Sequence, residues 1–143
     1  MADKKKIYNL PISNSDKAAF LILCTAQEVQ NRSLNLIKEY DLSMTQLTIL
    51  HILDELPMEN ITVNQIRDLM VEDSPNVSRA LNKLAKKNLV KKERSREDQR
   101  VVFITITPAG RDLHKICDKR ISGNMIHMTE EQSGILNDLL MEI

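Results

Sequence analysis

The chain has 143 residues, 42% hydrophobic and 28% charged, which suits one compact domain with a buried core. Aromatics are 3% with no Trp, so the core is expected to be aliphatic helix packing rather than a β-sandwich. The longest apolar run, Ala18 to Cys24, is too short for a membrane span, Lys4 to Lys6 precede no signal-type segment, and Cys24 and Cys117 stand far apart, so a membrane protein and a disulfide scaffold are excluded and a cytoplasmic location is expected.

Formal net charge is zero, but the charges are segregated. Residues 1–78 carry net −4, residues 79–100 net +6 and residues 101–143 net −2. A basic block between acidic flanks suits a surface that meets a polyanion, although a solvated lysine-rich helix has the same composition.

In chain order, a basic start expected to fray is followed by Ser13 and Asp16, a capping-box signal. Ala18, Ile22, Val29, Leu36 and Tyr40 then recur at helical spacing, predicting a first helix to about Tyr40. Ser43 with Gln46 opens a second helix, which stops at Leu56 because Pro57 disfavours helix in the residue before it. Thr62 with Gln65 opens a short third helix, with Ile61 and Ile66 placed as a hydrophobic staple. Val71, Glu72 and Asp73 form a tight turn, and Ser74 caps a fourth helix with Pro75 at its first position.

On that fourth helix Val77, Ala80, Leu81 and Leu84 share one side, while Asn76, Arg79, Lys83 and Lys86 share the other. Asn88 suits the left-handed position after its end. Leu89–Arg94 and Val101–Ile106 read as a β-hairpin with a charged tip. Thr107-Pro108 starts a helix ending near Gly123, and Thr129 with Gln132 opens a last one, whose Ile135, Leu136, Leu139, Leu140 and Ile143 form an apolar face that asks for a partner.

Two helices joined by a tight turn, the second basic on its outer face, place a helix in the major groove. Base edges are read near that helix's start, where Ser74, Asn76, Ser78 and Arg79 stand, and Arg79 can fork onto guanine. Lys83, Lys86 and Lys87 lie further along and suit phosphates. Arg94, Arg96 and Arg100 at the hairpin suit a flanking minor groove, and Asp98 is expected to hold the Arg100 guanidinium bidentately.

The run Ser74-Pro75-Asn76-Val77-Ser78-Arg79-Ala80-Leu81-Asn82-Lys83-Leu84, then Asp98-Gln99-Arg100, then Ile106-Thr107-Pro108-Ala109-Gly110 resembles the MarR family of bacterial regulators. The resemblance covers nearly the whole chain; Ile106 replaces a usual Leu and Asn88 a common Gly. It implies a mainly α, α+β winged helix-turn-helix fold of about six helices with a two- or three-stranded wing. It also implies a cytoplasmic homodimeric repressor on a pseudo-palindromic operator, released by a small molecule or another signal. Residues 1–42 and 111–143 would supply dimerisation helices and residues 43–110 the DNA-binding domain. DNA contacts carry over to Ser74, Asn76, Ser78, Arg79 and Lys83 on the recognition helix, to Asp98 and Arg100 in the wing, and less directly to Arg94 and Arg96.

The signal that such a regulator senses is not legible. Cys24 lies more than a turn from the position, near Ala19 and Phe20, that the peroxide-sensing branch would use. His114 and Cys117 share one side of a helix with His51 a possible neighbour, but two ligands do not make a site and the set does not match the zinc-sensing branch, so no metal and no cofactor are expected. With Tyr8, Phe20, Tyr40 and Phe103 as the only aromatics, a phenolic ligand has few stacking partners. There is no phosphate loop, nucleophile elbow or placeable carboxylate pair, which argues against an enzyme. A winged helix used for protein contacts is the alternative, disfavoured by the cationic recognition face, and RNA binding lacks stacking aromatics.

Overall fold

A computed structural model describes residues 3–56, 60–70 and 76–143. The expected turn Val71-Glu72-Asp73, the Ser74-Pro75 cap and Pro57 lie outside the described residues. The chain divides into two compact units, residues 34–120 and residues 1–33 with 121–143.

Near the start of the first unit is a 3-10 turn, Lys38–Tyr40. Helix α3, Met44–Glu55, follows a complete Ser43/Gln46 capping box and ends on an extended Leu56, as the proline after it requires. Strand β1, Ile61–Thr62, runs directly into α4, Val63–Leu69, which Thr62 and Gln65 cap reciprocally. Helix α5, Asn76–Lys86, buries Val77, Ala80, Leu81 and Leu84. Its end is a Schellman motif: Asn88 has φ 56°, Leu89 N donates to Leu84 O and Asn88 N to Ala85 O. Strands β2, Val90–Arg94, and β3, Val102–Ile106, form the wing, and α6, Pro108–Ile121, starts on Thr107, whose Oγ1 accepts from Gly110 N at 3.0 Å.

The sheet is antiparallel in the order β1-β3-β2, with Ile61 opposite Ile104 and Val90 opposite Ile106. These residues join Ile49, Leu50, Ile66, Leu81 and Leu84 in an aliphatic core. That core sets the backbones from which α5 and the wing project.

The other unit holds α1, Lys4–Tyr8, most of α2, Asn14–Leu36, and α7, Glu130–Met141. The start expected to fray is a helix because Asp3 caps it. Ser13 makes half of its capping box: Asp16 N donates to Ser13 Oγ, whose own hydroxyl donates to the Asp16 carboxylate. The α-helix stops at Leu36 rather than Tyr40, so the extrapolated stripe was four residues too long. Ile37, fully buried at φ −114°, is where the helical geometry breaks. With α1 added, the described residues contain seven α-helices, in line with the expectation of about six.

Candidate nucleic-acid interface

The amphipathic pattern of α5 separates structure from chemistry. Its buried side is wholly apolar, while Asn76, Arg79, Asn82, Lys83 and Lys86 are exposed. A helix with one face locked in the core and the other polar and cationic is what a groove 12 Å wide, on the order of the B-DNA major groove, accepts. Ser74, expected among the base-reading residues, lies outside the described residues. Ser78 is half-buried and its Oγ accepts from Arg67 Nη2 at 2.9 Å, which ties α5 to α4.

The wing is joined to the same helix by a second polar link, Lys92 Nζ donating to Asn82 Oδ1 at 2.5 Å. Burial of the Lys92 stem pushes its ammonium below the ordinary lysine value. Beyond the strands, residues 95–101 are shaped by their own side chains. Ser95 N donates to Val101 O, and Ser95 Oγ accepts from Glu97 N and Asp98 N.

Asp98 acts on backbone, not on a guanidinium. Its Oδ1 accepts from Arg100 N at 2.9 Å, and among the described residues no ion pair joins it to the Arg100 side chain. The expected bidentate pair is therefore replaced by an Asx turn, which satisfies the carboxylate within two residues and leaves the arginine to the surface. Arg94, Arg96 and Arg100 are all exposed. Arg100 also lines a cleft of about 260 Å³ with Thr62, Asn64 and Arg67. Two guanidinium groups on one cleft make it attractive to a phosphate.

Lys87 departs from the expected phosphate set. Its Nζ donates to Asp41 O at 2.5 Å and to Asp41 Oδ2 at 3.0 Å, and the contact holds the Asp41 carboxyl below its usual value. Lys83 and Lys86 remain exposed and line an open cleft of about 480 Å³ with Ser43 and Gln46. Arg67 is the cation that the sequence reading overlooked. It lies outside the basic block, in the net-acidic first 78 residues, and its contact with Ser78 places it beside α5.

Cys117 is fully buried, and desolvation pushes its thiol up, as expected for a core cysteine. Tyr40 lies under the Arg120 guanidinium, 5.1 Å from its ring centroid, rather than on a helical stripe. His51 and His114, 63 residues apart, do meet, with Nδ1 and Nε2 separated by 3.1 Å.

Residues 33–116 match the transcriptional regulator SarA/Rot family, more than half of the chain. The chain belongs to the SarA/Rot family. SarA/Rot membership makes it a DNA-binding transcriptional regulator and not an enzyme. Among relatives, it is 28% identical over 130 residues to the HTH-type transcriptional regulator SarZ of Staphylococcus aureus, covering 87% of this chain and 85% of that one. The SarZ of Staphylococcus epidermidis is 25% identical over 128 residues, with the same coverage.

The fold is that of the MarR regulators resembled in sequence. A MarR-like transcription regulator from Bacillus cereus superposes with TM-score 0.80 at 22% identity over 90% of this chain and 94% of its own. A mutant of Escherichia coli MarR, crystallised with operator DNA, gives 0.75 at 19% identity over 87% and 91%. The S. aureus MepR–DNA complex gives 0.74 at 21% over 92% and 96%. Among the described residues no helix is long and apolar enough to cross a membrane.

Proposed function

We propose that this SarA/Rot-family protein is a cytoplasmic homodimeric repressor that places α5 in the major groove of a pseudo-palindromic operator. The observation that carries the proposal is the division of α5 into a core-locked apolar side and an exposed side bearing Asn76, Arg79, Lys83 and Lys86. Asn76 and Arg79 read bases near the helix start, with Ser74 before them and Ser78 holding Arg67 beside them; Lys83 and Lys86 contact phosphates. Arg94, Arg96 and Arg100 enter the flanking minor groove, on a tip whose path Asp98 sets through its bond to Arg100 N. In this reading residues 43–110 bind DNA, while residues 1–42 and 111–143 dimerise.

Dimerisation is supported by the distribution of uncovered apolar side chains. Apart from Leu69 and Ile116, every exposed large hydrophobic residue among those described lies in the unit of residues 1–33 and 121–143, including Phe20, Leu23, Ile135, Leu139 and Ile143. A surface of that kind suits a second copy of the chain. Release by a small-molecule effector belongs to the same reading. It draws on the likeness, at TM-score 0.77, to Bordetella bronchiseptica BpsR, whose DNA binding 6-hydroxynicotinic acid regulates.

The test is binding to DNA upstream of the protein's own gene, measured against salt and against random duplex. Arg79→Ala should cost about 1–3 kcal/mol on the operator and much less on random DNA, whereas Lys86→Ala should weaken both alike and lower the salt slope by about one. Equal losses for the two variants on both DNAs refute the assignment. Sedimentation should give a dimer that Leu139→Glu dissociates.

A further inference from the structure

The winged-helix unit contains a second constellation that DNA binding does not use. His51 and Glu55 are four residues apart on α3 and so share one face, a turn apart. His114 meets them from α6, and one donor atom from each residue lies within 4.8 Å of the others. The two imidazoles are in direct contact, His51 Nδ1 to His114 Nε2, at 3.1 Å.

The His114 ring is held in one orientation and one tautomer. Its Nδ1 lies 2.7 Å from Asp54 Oδ2, and Asp54 Oδ1 accepts from Arg111 Nη1 at 2.5 Å. A carboxylate paired with a guanidinium only accepts, so the proton of the His114–Asp54 bond is on Nδ1. In the neutral ring this leaves the lone pair on His114 Nε2, the atom that faces His51 Nδ1. A carboxylate behind a histidine, fixing its tautomer and raising its basicity, is the arrangement that orients histidine ligands on metals.

The separation of the two imidazole nitrogens suits a small tetrahedral cation, and the exposed Glu55 carboxylate, within 4.8 Å of both, has only to close in. Two nitrogens bound to zinc at about 2.05 Å stand about 3.3 Å apart, a few tenths of an ångström more than the present separation. Binding replaces the hydrogen between the rings with the metal. The His51 proton moves from Nδ1 to Nε2 through solvent, which is accessible because His51 is exposed. Two imidazoles and a carboxylate favour zinc-class divalent ions over calcium or magnesium.

We propose that His51, Glu55 and His114 form a zinc-class metal site with its fourth position open to solvent, and that Asp54 is its positioning residue. The metal joins the last turns of α3 to α6, and through α6 to the base of the wing.

The full-length protein titrated with zinc against a chromophoric chelator should take up one ion per chain, and its Tm should rise with zinc. His51→Ala and Glu55→Gln, both at exposed positions and so tolerated by the fold, should each weaken binding at least tenfold and abolish the Tm response. Asp54→Asn should weaken it about 10- to 100-fold while leaving the stoichiometry at one. Cobalt should give tetrahedral visible bands without the near-ultraviolet charge-transfer band of a thiolate, which separates this site from any involving Cys117. No uptake at micromolar zinc, unchanged binding by His51→Ala and Glu55→Gln, or a thiolate band with cobalt overturns the proposal.

Discussion

Gly110 lies in the first turn of α6, where that helix meets the start of the wing. A Cβ at this position would stand 2.1 Å from Leu89 O, 3.0 Å from Leu89 C and 2.9 Å from Ile106 Cγ1. The first two are backbone atoms held from both sides. Leu89 O accepts from Thr107 N at 3.0 Å, and Leu89 N donates to Leu84 O at 3.0 Å, closing α5. Gly110→Ala can therefore be admitted only by moving α6 off the hairpin base. Overpacking costs about 1–3 kcal/mol, and a backbone obstacle belongs at the upper end. Alanine's better helix propensity offsets about 1 kcal/mol, leaving a net loss of about 2 kcal/mol.

The assay is urea unfolding at fixed protein concentration, with Gly134→Ala as the matched control. A Cβ at Gly134 meets nothing within 4 Å, and that position shares the polar side of α7 with Glu131 and Asp138. The same substitution there should stabilise by up to about 1 kcal/mol. If both variants gain alike, or if Gly110→Ala matches the parent, the close-approach reasoning is wrong.

Two further outcomes follow from the titratable groups. Because burial holds the Cys117 thiol protonated above its usual range, alkylation at pH 8 should modify half-exposed Cys24 and spare Cys117 until urea unfolds the chain. Equal rates in the folded protein would contradict the burial. The Lys87 hydrogen bond lowers the Asp41 carboxyl, so its stabilisation is present above the unfolded value, about 3.9, and is lost as pH falls through the folded one. Asp41→Asn should then be less stable than the parent at pH 7, with the difference narrowing below about pH 4. A difference that stays constant to pH 2 locates the effect elsewhere.

Much of the local structure was legible because its causes lie within four residues. The capping pairs Ser43/Gln46, Thr62/Gln65 and Thr129/Gln132 all close reciprocally. Asn88 adopts the left-handed turn that its short polar side chain tolerates. The apolar side of α5 is buried residue for residue. Less was legible where local patterns compete. Ile61 and Thr62 serve at once as staple, cap and strand, and two residues show no period, so β1 exists only through its pairing with Ile104 and Phe103. The stripe of the first helix ran on to Tyr40 because periodicity does not register a break at Ile37.

The sequence by itself thus determined where helices start, which face of α5 is apolar, and that positive charge concentrates in residues 79–100, since each depends on neighbours along the chain. Only the tertiary structure decided what individual polar groups do. Asp98 had a backbone N–H within reach before any guanidinium. Lys87 was captured by Asp41, 46 residues away, and Arg67 was brought to Ser78. His51 and His114, from helices far apart in sequence, were closed into a pair backed by Asp54. Polar side chains take whatever partner the packed backbones bring within about 3 Å, and no sequence spacing encodes that choice.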